Sequence, residues 1–385
     1  MWGSRYVWAR LEPVRRLVVV AVAALTFAAS AQAGTPSVDA RAYIVVDRTT
    51  GDVLAQHASN RRLPIASITK LMTVLITLER AKLDDVVTVQ REAAQVGESS
   101  IHLRAGERIT VRDLLAGALI QSANDAADAL ADHVSHGNET AFIRAMNAHA
   151  RRLGLTHTHY TRPDGLDAPG NVSTARDVTR LAQVLMKQPA VRALVRQRTA
   201  RIAGGRVLHT WNDLLGQFRG LDGVKTGHTG AAGWCEVARV RRDGLDLYAT
   251  ILGSPTRGQR NADLAALLRW AVAIERPTWV IAPNRVYMQV AAGYGRKAVP
   301  LVAARPVLRP VRLDRRLRER VLAPAAVSLP VRRGDRLGEV RVFSGRTLVA
   351  RKPLVAARAA SAPGLFGKVG FYGSRTFSHI GGWFS

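Results

Sequence analysis

Ser67 and Lys70, three residues apart, are the first pair in this 385-residue chain whose types and spacing could carry covalent chemistry. Helix positions three apart share a face, so the hydroxyl can serve as nucleophile and the amine as the base that takes its proton. The run Ile68 to Arg80 is rich in Leu, Met, Thr and Ile, holds no Gly or Pro, and follows Pro64, which predicts a buried helix with Ser67 at its N-terminus. Unpaired N–H groups and the dipole at that end favour an alkoxide and the oxyanion formed on attack. To act as a base Lys70 must lose its proton part of the time, which requires burial and a second cation nearby. Lys225 is the candidate. Lysine is a small minority among the 56 basic residues, and arginine cannot be deprotonated, so a lysine at each position is informative.

Two further segments could complete such a site. Ser122-Ala123-Asn124 falls between the helical runs Val111 to Ile120 and Asp125 to Val134, in a tight connection that can aim a hydroxyl and an amide into a cleft. There Ser122 could relay a proton to a leaving amine and Asn124 could donate to a substrate amide carbonyl. Lys225-Thr226-Gly227 ends the run Leu221 to Val224 and precedes His228-Thr229-Gly230 and the apolar stretch Trp234 to Val240. This reads as an exposed strand edge on which an extended peptide could pair, with Gly227 leaving room for the substrate backbone. Lys225 and Thr226 would hold a carboxylate, with Arg260, at the start of a helix Asn261 to Trp270, as a second anchor.

These motifs, with Leu63-Pro64-Ile65-Ala66-Ser67, Asp164-Gly165-Leu166-Asp167-Ala168-Pro169-Gly170 and Val224 to Thr229, resemble the D-alanyl-D-alanine carboxypeptidases among the low-molecular-mass penicillin-binding proteins. The resemblance is close from Pro36 to Arg276. It implies an α/β fold of the serine β-lactamase-like DD-peptidase type, and removal of the terminal D-alanine from peptidoglycan pentapeptide stems through an acylated Ser67. It also implies covalent inhibition by β-lactams. Carried over by position, Ser67, Lys70 and Ser122 are catalytic, while Asn124, Lys225, Thr226, Gly227, His228 and Arg260 bind substrate. The backbone N–H groups of Ser67 and His228 form the oxyanion hole, and Asp167, grouped with the substrate-binding residues, is an acidic residue near the cleft that supports deacylation indirectly. Ala123 departs from the family, where Gly is frequent. A DD-endopeptidase using the same site is the alternative. A class A β-lactamase would need a deacylating glutamate where this chain offers Asp164 and Asp167, and intact motifs argue against an idle binder.

The remaining sequence organises the chain around this site. Arg10, Arg15 and Arg16 precede an apolar run from Leu17 to Ala29 and then Ala31-Gln32-Ala33, the pattern of a cleavable signal peptide over residues 1–33. Residues 34–276 form the expected catalytic domain. From Pro277 short Val/Leu runs (Val286 to Val290, Ala325 to Val331, Gly338 to Phe343, Thr347 to Ala350) alternate with arginine and turn residues, predicting a small all-β domain over 277–358. Eighteen basic residues against four acidic ones lie between Pro277 and Ala360, and the whole chain carries a formal net charge of +27. In an exported chain this favours an anionic membrane surface and cell-wall polymers. Nucleic acid is excluded as a partner for want of any aromatic-interleaved basic motif or helix-turn-helix pattern. From Leu365, Phe366, Val369, Tyr372, Phe377, Ile380, Trp383 and Phe384 fall on one helical arc, so residues 359–385 read as a linker and an amphipathic membrane-associating tail. The expected location is the periplasmic face of the bacterial inner membrane, held peripherally. One cysteine, Cys235, excludes an internal disulfide. The ten histidines show no ligand spacing, and no metal or cofactor is inferred.

Overall fold

The computed structural model describes residues 18–25, 34–294, 296–312 and 316–364. The chain forms two compact units, one from Ala31 to Glu275 and one from Arg276 onward that includes the N-terminal strand.

The first unit is built on a five-stranded antiparallel sheet of β1 (Ala42–Asp47), β2 (Val53–His57), β3 (Leu221–Thr229), β4 (Gly233–Arg242) and β5 (Leu245–Ser254), in the order β2-β1-β5-β4-β3. Alternate residues leave a strand on opposite faces, and here both faces are covered. Val45, Leu247, Ala249 and Ile251 pack with Leu264, Leu267 and Leu268 of the helix α5 (Arg257–Ile274). Ile44, Tyr248 and Leu252 on the other face join the larger core around α1 (Lys70–Arg80), α2 (Asn124–Ser135), α3 (Glu139–Arg152) and α4 (Ala175–Leu185). Residues Lys70 to Thr77 of α1 are all buried, which explains a helix apolar on every side, and each buried Leu or Ile there contributes about 1.5–3 kcal/mol.

The predicted boundaries shift where backbone geometry is special. Ser67 lies in a 3-10 turn, Ala66–Thr69, ahead of α1 rather than in its first turn. The run expected as a helix from Val111 to Ile120 is α-helical over Val111–Ala116 and continues as a π turn, Gly117–Gln121. This turn delivers Ser122 with a φ of 67°, in the left-handed region. The helix holding Arg260 starts at Arg257, four residues before the predicted Asn261, because Thr256 caps it by accepting from the Gln259 N–H.

In the second unit, β6 (Val286–Ala292), β7 (Val299–Ala303), β8 (Leu317–Pro324), β9 (Arg336–Ser344) and β10 (Thr347–Ala356) form a sheet in the order β8-β9-β10-β7-β6, edged by Ala326–Val327 beside β6. The strand expected over Ala325 to Val331 is thus only two residues long, and β8 was not anticipated. Val18–Leu25, inside the stretch read as a signal peptide, is a strand paired antiparallel along Leu317–Pro324. The amphipathic tail read from Leu365 to Ser385 lies outside the described residues. Among those described, no helix is long and apolar enough to cross a membrane.

Candidate active site

The three motifs meet at the end of α1, beside the edge strand β3. The Lys70 ammonium donates to Ser67 Oγ at 2.8 Å, to Asn124 Oδ1 at 2.6 Å and to the backbone carbonyl of Asp164 at 2.6 Å. Lys70 is fully buried, and this burial lowers its pKa to about 8, with the charge of Asp164 acting in the opposite direction. Its three hydrogens are therefore directed, and the one toward Ser67 marks the line along which a proton would pass.

Lys225 donates to Ser122 Oγ at 2.7 Å and to the Thr226 carbonyl at 2.7 Å. Burial, and then the neighbouring charge of Lys70, hold Lys225 well below the usual lysine range. The sequence reading expected Lys225 to lower Lys70; here burial alone lowers Lys70, and the charge effect runs from Lys70 to Lys225.

Asn124 is anchored at both ends, because Oδ1 accepts from Lys70 and Nδ2 donates to the Gly97 carbonyl at 2.8 Å. These two contacts use Oδ1 and one of the two amide hydrogens. Arg162 grips Asp164 through Nε at 3.0 Å and Nη2 at 2.7 Å. Burial would raise the Asp164 carboxyl, yet Arg162 and Lys70 hold it low. The nearby Asp128 is pushed up to about 8 by burial and the Asp164 charge.

Gly227 has a different reason from the one expected. A Cβ there would lie 2.9 Å from the Ile65 carbonyl oxygen and 3.1 Å from the Ser67 nitrogen, so its missing side chain admits the nucleophile turn rather than the substrate. Gly165 presses on the same turn, where its φ of 87° and an ideal Cβ 2.1 Å from the Ala66 oxygen exclude any other residue.

Ser67, Ser122, Asn124, Thr226, Gly227, His228 and Arg260 line one cavity of about 210 Å³. Asp167 does not. Its carboxylate accepts from Thr229 Oγ1 at 2.6 Å and from the Ala231 N–H at 3.1 Å, pinning the loop 164–170 to the end of β3, and it borders a separate hollow. Asp167 therefore braces this loop in the structure and does not line the cavity that holds Ser67. Arg260 is buried at the cavity's edge, with Nε 3.0 Å from Asn261 Oδ1 and Nη2 3.2 Å from Asp213 Oδ2. The exposed His228 stacks on Trp234 with ring centroids 4.0 Å apart. Cys235 is fully buried, and burial pushes its thiol up to about 11.

Trp211, Trp234, Glu98 and Ser99 also line the cavity and were not singled out from the sequence. Tryptophan is scarce in this chain, and two of them flanking the third motif were the available signal.

A buried lysine on a serine hydroxyl, a second lysine on a second serine and an edge strand beside them define a serine acyl-transfer enzyme of α/β fold. The D-alanyl-D-alanine carboxypeptidase family matches residues 28–256, and this chain belongs to it. It is 32% identical over 376 residues to the D-alanyl-D-alanine carboxypeptidase DacC of Escherichia coli, covering 93% of this chain and 94% of that one. Penicillin-binding protein 5 of Haemophilus influenzae aligns with a TM-score of 0.64 at 25% identity, over 85% of this chain and 99% of that one. The Streptomyces K15 DD-transpeptidase aligns with a TM-score of 0.59 at 31% identity, over 63% of this chain and all of that one.

Proposed function

We propose that the protein is a serine-type D-Ala-D-Ala carboxypeptidase that trims the terminal D-alanine from peptidoglycan stem peptides. The observation that carries this is the Lys70 ammonium on Ser67 Oγ, inside a cavity walled by the other two motifs. With Lys70 neutral, Ser67 Oγ gives it a proton and attacks the carbonyl of the penultimate D-alanine. The oxyanion is received by the backbone N–H groups of Ser67 and His228. Ser122, held by Lys225, passes a proton to the departing D-alanine amine, and that residue's carboxylate is bound by Thr226 and Arg260. Water then hydrolyses the acyl-Ser67 ester. A β-lactam would enter by the same route and remain as the ester.

Export and membrane association belong to the same proposal. The basic, then apolar N-terminus ending in Ala31-Gln32-Ala33 supports export, and the amphipathic pattern after Leu365 supports peripheral attachment to anionic lipid on the periplasmic face. Deleting residues 365–385 should release the mature protein from membranes without loss of turnover; continued sedimentation would move the anchor elsewhere.

The decisive experiment is mass spectrometry after incubation with diacetyl-Lys-D-Ala-D-Ala and, separately, a cross-linked muropeptide dimer. Loss of one D-alanine with the dimer intact is expected. Cleavage of the dimer alone would make the enzyme an endopeptidase.

A further inference from the structure

A buried carboxylate lies beside Thr226 and against Arg260, the two residues proposed to receive the substrate's own carboxylate. Glu236 of β4 is the cross-strand partner of Thr226, and His228 is the partner of Trp234. Residues two apart on a strand share a face, so Trp234 and Glu236 stand next to each other, beside His228 and Thr226 on the neighbouring strand. Arg260 lies against both, with its guanidinium carbon 5.7 Å from the centre of the Trp234 ring and its Nε 3.2 Å from Glu236 Oε2. Glu236 is fully buried, and neither carboxylate oxygen has a hydrogen-bond partner. A buried carboxyl held by one ion contact and no hydrogen bond is costly, and nothing in the acyl-transfer chemistry calls for it.

Resting on the carboxypeptidase reading, we infer that Glu236 is a positioning residue that sets the effective charge of Arg260, coupling binding of the substrate carboxylate to uptake of a proton by Glu236. Ionised, Glu236 neutralises Arg260 and repels an incoming carboxylate; protonated, it leaves the guanidinium charge to the substrate. The charged groups facing it are Arg260 from α5, Lys225 from β3 and Asp213 from the loop before β3. Arg260 and Lys225 favour the ionised form and Asp213 opposes it, while burial outweighs the cations and pushes the carboxyl up to about 7. The substrate's negative charge then raises it further, so carboxylate affinity falls as pH rises through neutrality.

The test combines kinetics with a titration that needs no turnover. For diacetyl-Lys-D-Ala-D-Ala, KM of the wild type should rise roughly five- to tenfold from pH 6 to pH 8, and Glu236→Gln should hold KM near its low-pH value throughout. The same KM profile in Glu236→Gln, or an effect on kcat with KM unmoved, overturns the inference. In parallel, carboxyl-13C NMR of wild-type protein should show the Glu236 midpoint moving upward when N-acetyl-D-alanine, a bare carboxylate probe, is added. An unmoved midpoint also overturns it. If the wild type leaves the tripeptide untouched, the carboxypeptidase reading fails, while the titration still decides whether Glu236 and an Arg260-bound carboxylate are coupled.

Discussion

Lys70 and Lys225, 155 positions apart in sequence, each place an ammonium on a different serine hydroxyl, Ser67 at 2.8 Å and Ser122 at 2.7 Å. Burial lowers both amines, and Lys70 lowers Lys225 further by its charge. Burial is what weakens the hold of Lys70 on its proton, and Lys225 gives way further because Lys70 is close. Removal from water makes a base out of a lysine.

The pH dependence follows from that lowering. Lys70 is depressed to about 8, so it is protonated and inactive below that value and free to accept a proton above it. The rate of acylation should climb as pH rises through about 8 and level off beyond it, measured with a fluorescent penicillin. Stability follows the same sign. Between about 8 and the unfolded value near 10.4 the unfolded chain holds more protons at this site, so the Lys70 contribution grows with pH across that window. A flat acylation profile from pH 6 to pH 10 would remove Lys70 from the role of base.

Ser67→Ala should abolish covalent labelling and lower turnover by three or more orders of magnitude. Lys70→Arg should be nearly as damaging although the charge is kept, because guanidinium does not give up its proton. Intact-mass detection of a penicilloyl adduct distinguishes both from the wild type. An arginine variant that acylates at wild-type speed would disprove the proton transfer.

Gly227→Ala tests the close approach of β3 to the nucleophile turn. The added methyl meets the Ile65 oxygen and Ser67 nitrogen, both backbone atoms that cannot rotate away. A loss of about 1–3 kcal/mol in denaturant unfolding is expected, with acylation slowed well beyond what that loss explains. Unchanged acylation would show that the turn yields freely.

The lines of chemistry were legible in the sequence because they rest on side-chain identity at short spacing: Ser67 with Lys70, Ser122 with Asn124, and Lys225 with Thr226. What escaped was contributed by the backbone or by distant chain. Any residue can offer the carbonyls that Asp164 and Gly97 supply to Lys70 and Asn124. Gly227 was assigned to the substrate because its real neighbour, Ile65, is 162 positions away. Strand β8 was hidden by the Arg-Glu-Arg run of residues 318–320, whose inward Glu319 is buried and paired with Arg285 at 2.8 Å. Ala325 to Val331 was over-read as a strand because its apolar residues outweighed Pro330, where no ladder N–H exists.

Asp167→Ala should act through the brace rather than through the cleft. Removing both acceptors leaves Thr229 Oγ1 and the Ala231 N–H without their partner, at a cost of about 1–3 kcal/mol in thermal or denaturant unfolding. KM for the tripeptide should stay within about twofold of wild type. A large rise in KM without loss of stability would return Asp167 to the substrate.

Gly165 and Gly227 press on the Ala66–Ser67 backbone from two sides, and one of them arrives on a strand some 160 residues later. Beyond its local Ile68 N–H to Ile65 carbonyl bond at 3.2 Å, the nucleophile turn therefore leans on distant chain for its shape. It is completed only when a contact between residues 162 positions apart closes, and long-range closure of this kind is a slow event in folding. A newly synthesised or partly unfolded chain is thus chemically silent toward wall peptides and β-lactams alike. Penicillin labelling of Ser67 then becomes a gauge of fully assembled molecules, counting only chains in which the edge strand has docked.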